Sequence, residues 1–205
     1  MSLYPIILKS RDEDRIFGFD DTYLDLVRAL MQPCQKGNNY QGFSPSRDQL
    51  REIIDGKVDL DDKTGAWYYY QGKNYYTIGE TAEGIKKLAI FDRLLGNRYL
   101  NRNSIVFLDE LESSLHPKAV VKFLDIIYML AKSGLQFFIA SHSYFTIKKL
   151  CLIAKKHNES IPVLSLSSNC APVIEDLHDG MPDNSIIDEA VALYEAETDF
   201  LMGED

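Results

Sequence analysis

Acidic residues and a histidine follow two apolar segments of this chain. In SIVFLDELESSLHP, residues 104–117, an apolar run ends in the adjacent carboxylates Asp109 and Glu110, and in LQFFIASHS, residues 135–143, a second run leads to His142. If both runs are parallel strands of one sheet, their polar ends meet at the edge where such sheets bind ligands. There an aspartate can hold Mg²⁺ through oxygen, and a glutamate beside it can polarise a water. The histidine can hydrogen-bond a phosphate.

Helices and apolar strands alternate in the part of the chain that must position these residues. Helical spacing of apolar residues predicts three helices. The first spans residues 81–97, the second begins at Pro117 and ends before Gly134, and the third follows His142. A third strand is predicted at IPVLSLS, residues 161–167, and Ser185 is predicted to cap a last helix. Strands without polar alternation, separated by helices, predict an α/β fold with a parallel sheet buried on both faces.

The first 80 residues have a different pattern, in which predicted helices are followed by short β-prone runs. Helical spacing with acidic cap candidates predicts a helix in residues 19–33, and Ser46 with Gln49 predicts a capping box for a second helix that stops at Gly56. Short β-prone runs separated by turn residues predict a three-stranded antiparallel meander over residues 57–78. We therefore predict a helical and β-meander arm at residues 1–80 and an α/β lobe at residues 81–205.

The composition disfavours several classes of protein. The 205 residues carry 22 basic and 31 acidic side chains, a formal net charge of −9, which disfavours nonspecific binding of nucleic acid by the whole chain. The cysteines, Cys34, Cys151 and Cys170, are scattered, so neither a disulfide framework nor a zinc site is predicted. We expect a cytoplasmic protein without a signal peptide or a membrane span.

Three segments together resemble a known class of ATPase. IVFLDELESSLHP resembles the Walker B segment of ATP-binding-cassette and SMC-type ATPases, and FFIASHSYF resembles their switch-histidine strand. TAEGIKKLAIFDRLL resembles the signature helix of the AAA-type, ABC-like prokaryotic ATPases. The order of the three motifs, with spacings of roughly 20 and 30 residues, is more specific than any one of them. The resemblance covers residues 57–166.

The resemblance implies a fold, cofactors and roles. The chain would be the C-terminal part of an ABC-like P-loop NTPase head, with a parallel sheet and a small antiparallel β and helical arm, and its cofactors would be ATP and Mg²⁺. Asp109 would bind Mg²⁺, Glu110 would be the general base and His142 the switch. The signature helix would contact the γ-phosphate across an ATP-dependent homodimer through Ala82, Gly84 and Lys86. Its partners would be a second copy and, through the larger ATPase, DNA or another protein.

A phosphate-binding loop of the form G-x-x-x-x-G-K-[ST] is absent from this sequence. The resemblance therefore implies the C-terminal portion of a larger ATPase, inactive alone. One alternative is a nucleotide-sensing or scaffolding module that does not hydrolyse ATP. A second is the ATPase part of an ATPase–nuclease system, for which the D-x-D motif of a nuclease domain is missing after residue 166. Each motif alone is also typical of ordinary α/β proteins; their shared order favours the ATPase.

Overall fold

The chain forms two compact units in this computed structural model. The structure describes residues 21–34, 43–61, 63–166 and 171–203. The first unit comprises Met1–Val106 with Met129–Gln136, and the second comprises Phe107–Tyr128 with Phe137–Asp205. The division predicted at residue 80 stays a prediction.

The described chain consists of α-helices and short strands, which alternate one by one only between Glu83 and Ser165. The α-helices are α1 (Asp21–Met31), α2 (Ser44–Ile54), α3 (Glu83–Gly96), α4 (Pro117–Lys132), α5 (Tyr144–His157) and α6 (Ser185–Met202). The strands are β1 (Lys57–Asp61), β2 (Ala66–Gln71), β3 (Asn74–Thr77), β4 (Ile105–Asp109), β5 (Gln136–Ala140), β6 (Pro162–Ser165) and β7 (Val173–Asp176). A 3₁₀ turn at Ile78–Glu80 links β3 to α3.

The antiparallel meander predicted for the first unit is confirmed. Tyr69 of β2 faces Val58 of β1 and Tyr76 of β3, so the central strand pairs on both sides. Its side chain is buried, and its hydroxyl donates a 2.6 Å hydrogen bond to the carbonyl oxygen of Ile54, the last residue of α2. The meander is thereby fastened to the helical part of the unit.

The second helix begins earlier than the predicted capping box requires. Phe43 occupies the N-cap position and Pro45 lies in the first turn, where its fixed backbone angle suits a helix start. Ser46 is consequently inside the helix and buried, so the Ser46–Gln49 capping box is wrong. At the other end Asp55, not Gly56, adopts the left-handed conformation, with φ of 50°. Gly56 is required for another reason, since a Cβ there would lie 2.3 Å from the carbonyl oxygen of Tyr70.

A buried carboxylate joins α2 to α3. Asp92 accepts hydrogen bonds from Arg47 Nε at 2.7 Å, from Arg47 Nη2 at 3.3 Å and from Arg51 Nε at 3.3 Å. The side chains of Asp92 and Arg47 are only 9% and 11% exposed, so water screens this pair weakly. Around it the two helices bury apolar side chains, among them Leu50, Leu88, Phe91 and Leu95.

The predicted parallel pair of strands is confirmed in β4 and β5. The amide of Gln136 donates to the carbonyl of Ser104, and the amide of Glu110 donates to the carbonyl of Ala140. Because later residues of one strand pair with later residues of the other, the two strands run in the same direction. Both strands therefore end at the same edge.

The third predicted strand exists, but its sheet was predicted incorrectly. Pro162–Ser165 pairs antiparallel with β7, Val163 opposite Glu175 and Leu164 opposite Ile174. The partner strand, APVIEDL in sequence, has only a short apolar stretch before its acids, too short for a period to be read from it. The apolar pattern of β6 does not indicate its partner strand, because the pairing depends on contacts with residues outside β6.

One face of the β4–β5 pair is open to solvent in the described structure. Phe107 is 76% exposed and Phe138 is 49% exposed, and their rings stack with centroids 5.0 Å apart. The prediction that this sheet is buried on both faces is therefore wrong for the described residues. On α5, by contrast, Ile147, Cys151 and Ala154 pack into a buried cluster with Leu177.

The last helix is capped by the residue before the one predicted. The side chain of Asn184 accepts hydrogen bonds from the amides of Ile186 and Ile187, so Asn184 is the N-cap and Ser185 is the first helical residue.

Within the described residues, none of the helices is both long enough and apolar enough to cross a bilayer.

Candidate functional site

The two strand ends bring a carboxylate and an imidazole together. Glu110 directly follows β4, and its amide donates a 2.9 Å hydrogen bond to the carbonyl of Ala140, the last residue of β5. His142 follows Ala140 by two residues, and its Nδ1 lies 3.2 Å from Glu110 Oε1. Both side chains remain more than half exposed, so a ligand in solution has access to them. The structure thus places a base candidate and its histidine neighbour at one edge of a parallel pair.

Glu110 adopts a backbone conformation that costs free energy. Its φ is 45°, in the left-handed region that residues other than glycine visit rarely. Such a conformation disfavours an L-residue by about 1 kcal/mol or more. The hydrogen bond from its amide to Ala140 holds this conformation, which turns the chain sharply away from the strand and directs the Glu110 side chain to His142.

Glu112 braces the segment that carries His142. Its Oε1 accepts a 2.6 Å hydrogen bond from the hydroxyl of Ser141, and its Oε2 accepts a 3.4 Å hydrogen bond from the buried hydroxyl of Thr146. The oxygen of Ser141 also accepts from the amide of Ser143, which is the N-cap of α5. Residues on both sides of His142 are therefore tied to one carboxylate, which fixes where the imidazole can lie.

Glu112, Ser141 and Thr146 are the site residues that the sequence interpretation missed as a group. The residues next to Glu112 in sequence indicate no partner for its carboxylate. The one local signal is polar: a third acid and a Ser-His-Ser triplet follow the two strands of a parallel pair. Recognising them needs the tertiary contact, since Glu112 and Ser141 are 29 positions apart.

Removing the brace is expected to loosen the start of α5. Glu112→Ala takes away the acceptor of two side-chain hydrogen bonds, one of them from a buried hydroxyl, so the free energy of opening should fall by about 1–3 kcal/mol. Hydrogen exchange at the amides of Ser143 to Ile147 measures this change. Glu197→Ala, which removes an exposed carboxylate from α6, is the matched control and should leave those rates unchanged. Equal exchange rates in the two variants would contradict the brace.

The turn after the acidic pair leads into α4. Ser114 also has a left-handed backbone, with φ of 66°. His116 Nδ1 accepts a 3.2 Å hydrogen bond from the amide of Lys118, and its carbonyl accepts from Ala119 and Val120, so His116 caps the helix that Pro117 begins. Because Nδ1 accepts this hydrogen bond, His116 has a structural role as the cap of α4.

Asp109 is the exposed last residue of β4. No group of three or more His, Cys, Asp or Glu side chains in the described chain is arranged to hold a metal by itself. One exposed carboxylate nevertheless fits Mg²⁺, since that ion usually takes one or two protein carboxylates and completes its shell with water and phosphate oxygens.

The three residues predicted to contact a phosphate lie at the start of α3. Ala82 is the N-cap residue, and its carbonyl accepts hydrogen bonds from the amides of Ile85 and Lys86. Gly84 is buried in the first turn, and Lys86 Nζ lies 2.6 Å from Glu83 Oε1. These residues belong to the first unit, and the Glu110–His142 pair belongs to the second.

A family model matches residues 8–148, more than half of the chain, and is described as "AAA domain, putative AbiEii toxin, Type IV TA system". The chain belongs to this AAA domain family. The resemblance to AAA-type, ABC-like ATPases is thereby confirmed, and the domain is ATPase-like and of a nucleotide-binding class. No curated protein sequence matches this AAA domain.

Structures of SMC ATPase heads are similar to this AAA domain. One, from work on ATP-driven dimerization and DNA-stimulated activation of SMC ATPases, is 13% identical with a TM-score of 0.47, over 78% of this chain and 93% of the other. An Smc head with a coiled coil and joint from Pyrococcus yayanosii is 14% identical with a TM-score of 0.47, over 94% of this chain and 33% of the other. A third, an SmcHead bound to the C-winged helix domain of ScpA, is 15% identical with a TM-score of 0.47, over 67% and 44%. The chain spans less than half of the latter two proteins.

Proposed function

We propose that this AAA domain supplies the Walker B and switch-histidine part of an enzyme that hydrolyses ATP between two copies of the chain. The observation that carries the proposal is the 3.2 Å contact between Glu110 and His142 beyond two adjacent parallel strands. A carboxylate that must take a proton from water needs a fixed position and access to solvent. Glu110 has both, since its side chain is 52% exposed and its backbone is held by Ala140.

The chain's residues take separate roles in this proposal. Asp109 would hold Mg²⁺, which neutralises phosphate charge when bound. Glu110 would accept the proton of the attacking water, and His142 would hold Glu110 in place and contact the terminal phosphate. Glu112 would keep His142 in position through Ser141 and Thr146.

The start of α3 would bind the γ-phosphate held by a second copy. Amides at a helix N-terminus point toward an anion, and the helix dipole favours negative charge there. Gly84 in the first turn leaves the backbone without a side chain at that point. Lys86, which pairs with Glu83 at 2.6 Å, would exchange that carboxylate for a phosphate oxygen. An ATP-dependent homodimer follows, because the nucleotide would then be shared between two chains.

A further layer must supply the phosphate-binding loop. Parallel sheets occur with both faces covered, whereas Phe107 and Phe138 form an exposed stacked pair on β4 and β5. We assign the missing cover to the lobe that carries the loop. Mutual burial would remove from water two aromatic side chains, each worth about 1.5–3 kcal/mol when fully buried.

The 205-residue chain by itself is expected to hydrolyse no measurable ATP. Backbone amides and the lysine of a phosphate-binding loop make most of the contacts to a nucleotide in this class of site, and the sequence contains no such loop. Steady-state phosphate release, with and without Mg²⁺, measures the activity. Robust turnover that depends on Glu110 in this chain alone would show that the assignment of a separate phosphate-binding lobe is wrong.

A further inference from the structure

The last helix, α6, exposes a group of large apolar side chains to solvent. None of the described residues of α6 is buried. From its seventh residue onward it carries six large apolar side chains that are between 47% and 76% exposed: Val191, Leu193, Tyr194, Phe200, Leu201 and Met202. Apolar side chains gathered in this way on a soluble protein mark a surface that another molecule covers.

The first turn of α6 is anchored on its own unit. Asn184 caps the helix, and Ile186 and Ile187 pack against the buried cluster of α5. Gly203, with φ of 73°, ends the helix after Met202. In proteins most of the stability of a helix comes from packing of its apolar face. The part of α6 beyond the anchored turn is therefore stabilised when a partner covers it.

Four residues of α6 recur at the spacing of a coiled-coil seam. They are Val191, Tyr194, Thr198 and Leu201, and we call this row the α6 seam. Helical residues separated by three or four positions lie on one face, where side chains of a second helix can pack between them. The hydroxyl of Thr198 donates a 2.8 Å hydrogen bond to the carbonyl of Tyr194, so covering this position leaves that donor satisfied.

Acidic side chains border the α6 seam. In the heptad frame of the seam, Glu195 and Glu197 occupy the two flanking positions, e and g, that face a partner helix. The helix contains five carboxylates and no basic residue, and neither lysine nor arginine follows Lys156 in the sequence. Two copies of α6 would set like charges against each other, whereas a helix with lysine or arginine beside its own seam would pair with these acids.

The acidic charge also disfavours two other kinds of occupant. The phosphates of a nucleic acid and the anionic lipids of a membrane surface attract basic residues, and α6 has none. A surface that combines an apolar row with acidic borders is complementary to a helix that combines an apolar row with basic borders.

We propose that the α6 seam binds a basic amphipathic helix of another protein. Contact between the two apolar rows supplies affinity, and the flanking charges select the partner and its orientation. The surface goes beyond the proposed ATPase function, because it involves neither Glu110 and His142 nor the start of α3. It would give the domain a docking site for a partner protein that is separate from its nucleotide chemistry.

Fluorescence anisotropy of the full chain with three labelled synthetic peptides tests the proposal. Each peptide has about three heptads. The first has leucine at a and d and lysine at e and g, the second replaces those lysines by glutamate, and the third has the composition of the first in scrambled order. Saturable binding of the first is expected, with the other two weaker by about tenfold or more.

Two results with these peptides would overturn the proposal. One is binding of either control peptide as tight as that of the lysine-flanked peptide, because it would show that the charges or the seam are not read. The other is absence of saturable binding of the lysine-flanked peptide up to about 1 mM, an affinity weaker than about −4 kcal/mol.

A matched pair of variants locates the contact on one face of α6. Tyr194→Gln with Leu201→Gln removes two apolar side chains from the seam and should weaken binding of the lysine-flanked peptide by about tenfold or more. Leu193→Gln with Phe200→Gln should leave it unchanged, since these residues have the same spacing and similar exposure but lie about 100° away around the helix. Equal weakening in both would refute the seam.

A second pair of variants tests the charges beside the seam. Glu195→Lys with Glu197→Lys should invert the preference, so that the glutamate-flanked peptide binds more tightly than the lysine-flanked one. Glu189→Lys with Asp199→Lys makes the same change of charge on the opposite side of the helix and should preserve the original preference. Inversion in both variants would show general attraction to an acidic helix and contradict the proposal.

Light scattering of the chain without peptide and without ATP tests whether a second copy is the occupant instead. The unmodified chain and the Tyr194→Gln, Leu201→Gln variant are expected to have the same mass. A larger mass of the unmodified chain that this variant abolishes would assign the α6 seam to self-association and overturn the proposal.

Discussion

Replacing Glu110 by glutamine is expected to lower ATP turnover about a hundredfold or more in the ATPase assembled with its phosphate-binding lobe, the usual scale for loss of a general base. Glutamine has nearly the same shape and can still approach His142, but it cannot accept the proton of an attacking water at neutral pH. ATP binding should persist, since a phosphate-binding loop would make most of the contacts to the nucleotide. An ATP-bound dimer should therefore accumulate, and light scattering with steady-state phosphate release measures both effects.

A matched control for this variant is Glu189→Gln, which removes one carboxylate from an exposed position of α6. Turnover and dimerisation should match those of the unmodified protein. Unchanged turnover in the Glu110 variant would mean that another residue activates the water, or that the chemistry assigned to the strand end is wrong. A loss of ATP binding equal to the loss of turnover would mean that Glu110 binds the nucleotide and does not act as a base.

Replacing Asp92 by asparagine is expected to lower the free energy of unfolding of the first unit by about 3–5 kcal/mol. The substitution keeps the size of the side chain but removes the charge that both Arg47 and Arg51 face. Arg47, whose side chain is 11% exposed, then loses its 2.7 Å ion pair with Asp92. Since ordinary domains are stable by only about 5–15 kcal/mol, such a loss would be a large fraction of the stability of the unit.

Urea unfolding followed by the fluorescence of Trp67 measures this effect, because Trp67 is the single tryptophan and lies in the same unit. Asp25→Asn is the control. It removes a carboxylate that pairs with Arg28 at 3.3 Å on α1, where the aspartate side chain is 65% exposed, so it should cost less than about 1 kcal/mol. Similar shifts in the two variants would show that the Asp92 network does not hold α2 on α3.

Local patterns in the sequence were sufficient for most of the elements and for part of the candidate site. The meander follows from β-prone runs separated by turn residues, and α4 begins at Pro117 as its fixed backbone angle predicts. The polar residues after two apolar strands predicted that Glu110 and His142 meet, and their contact confirms this placement. These features depend on residues close in sequence, or on the rule that parallel strands end at one edge.

Only the tertiary structure showed which distant segments of the chain contact each other. The partner of β6, the Asp92 network between residues 45 positions apart and the brace from Glu112 to Ser141 are all contacts between distant segments. Alternation and helical period report only which side of an element is apolar. They do not say which distant polar group will face it, because that depends on how the apolar surfaces pack. Packing is a property of the whole chain, so the position of the imidazole is determined only when the chain has folded.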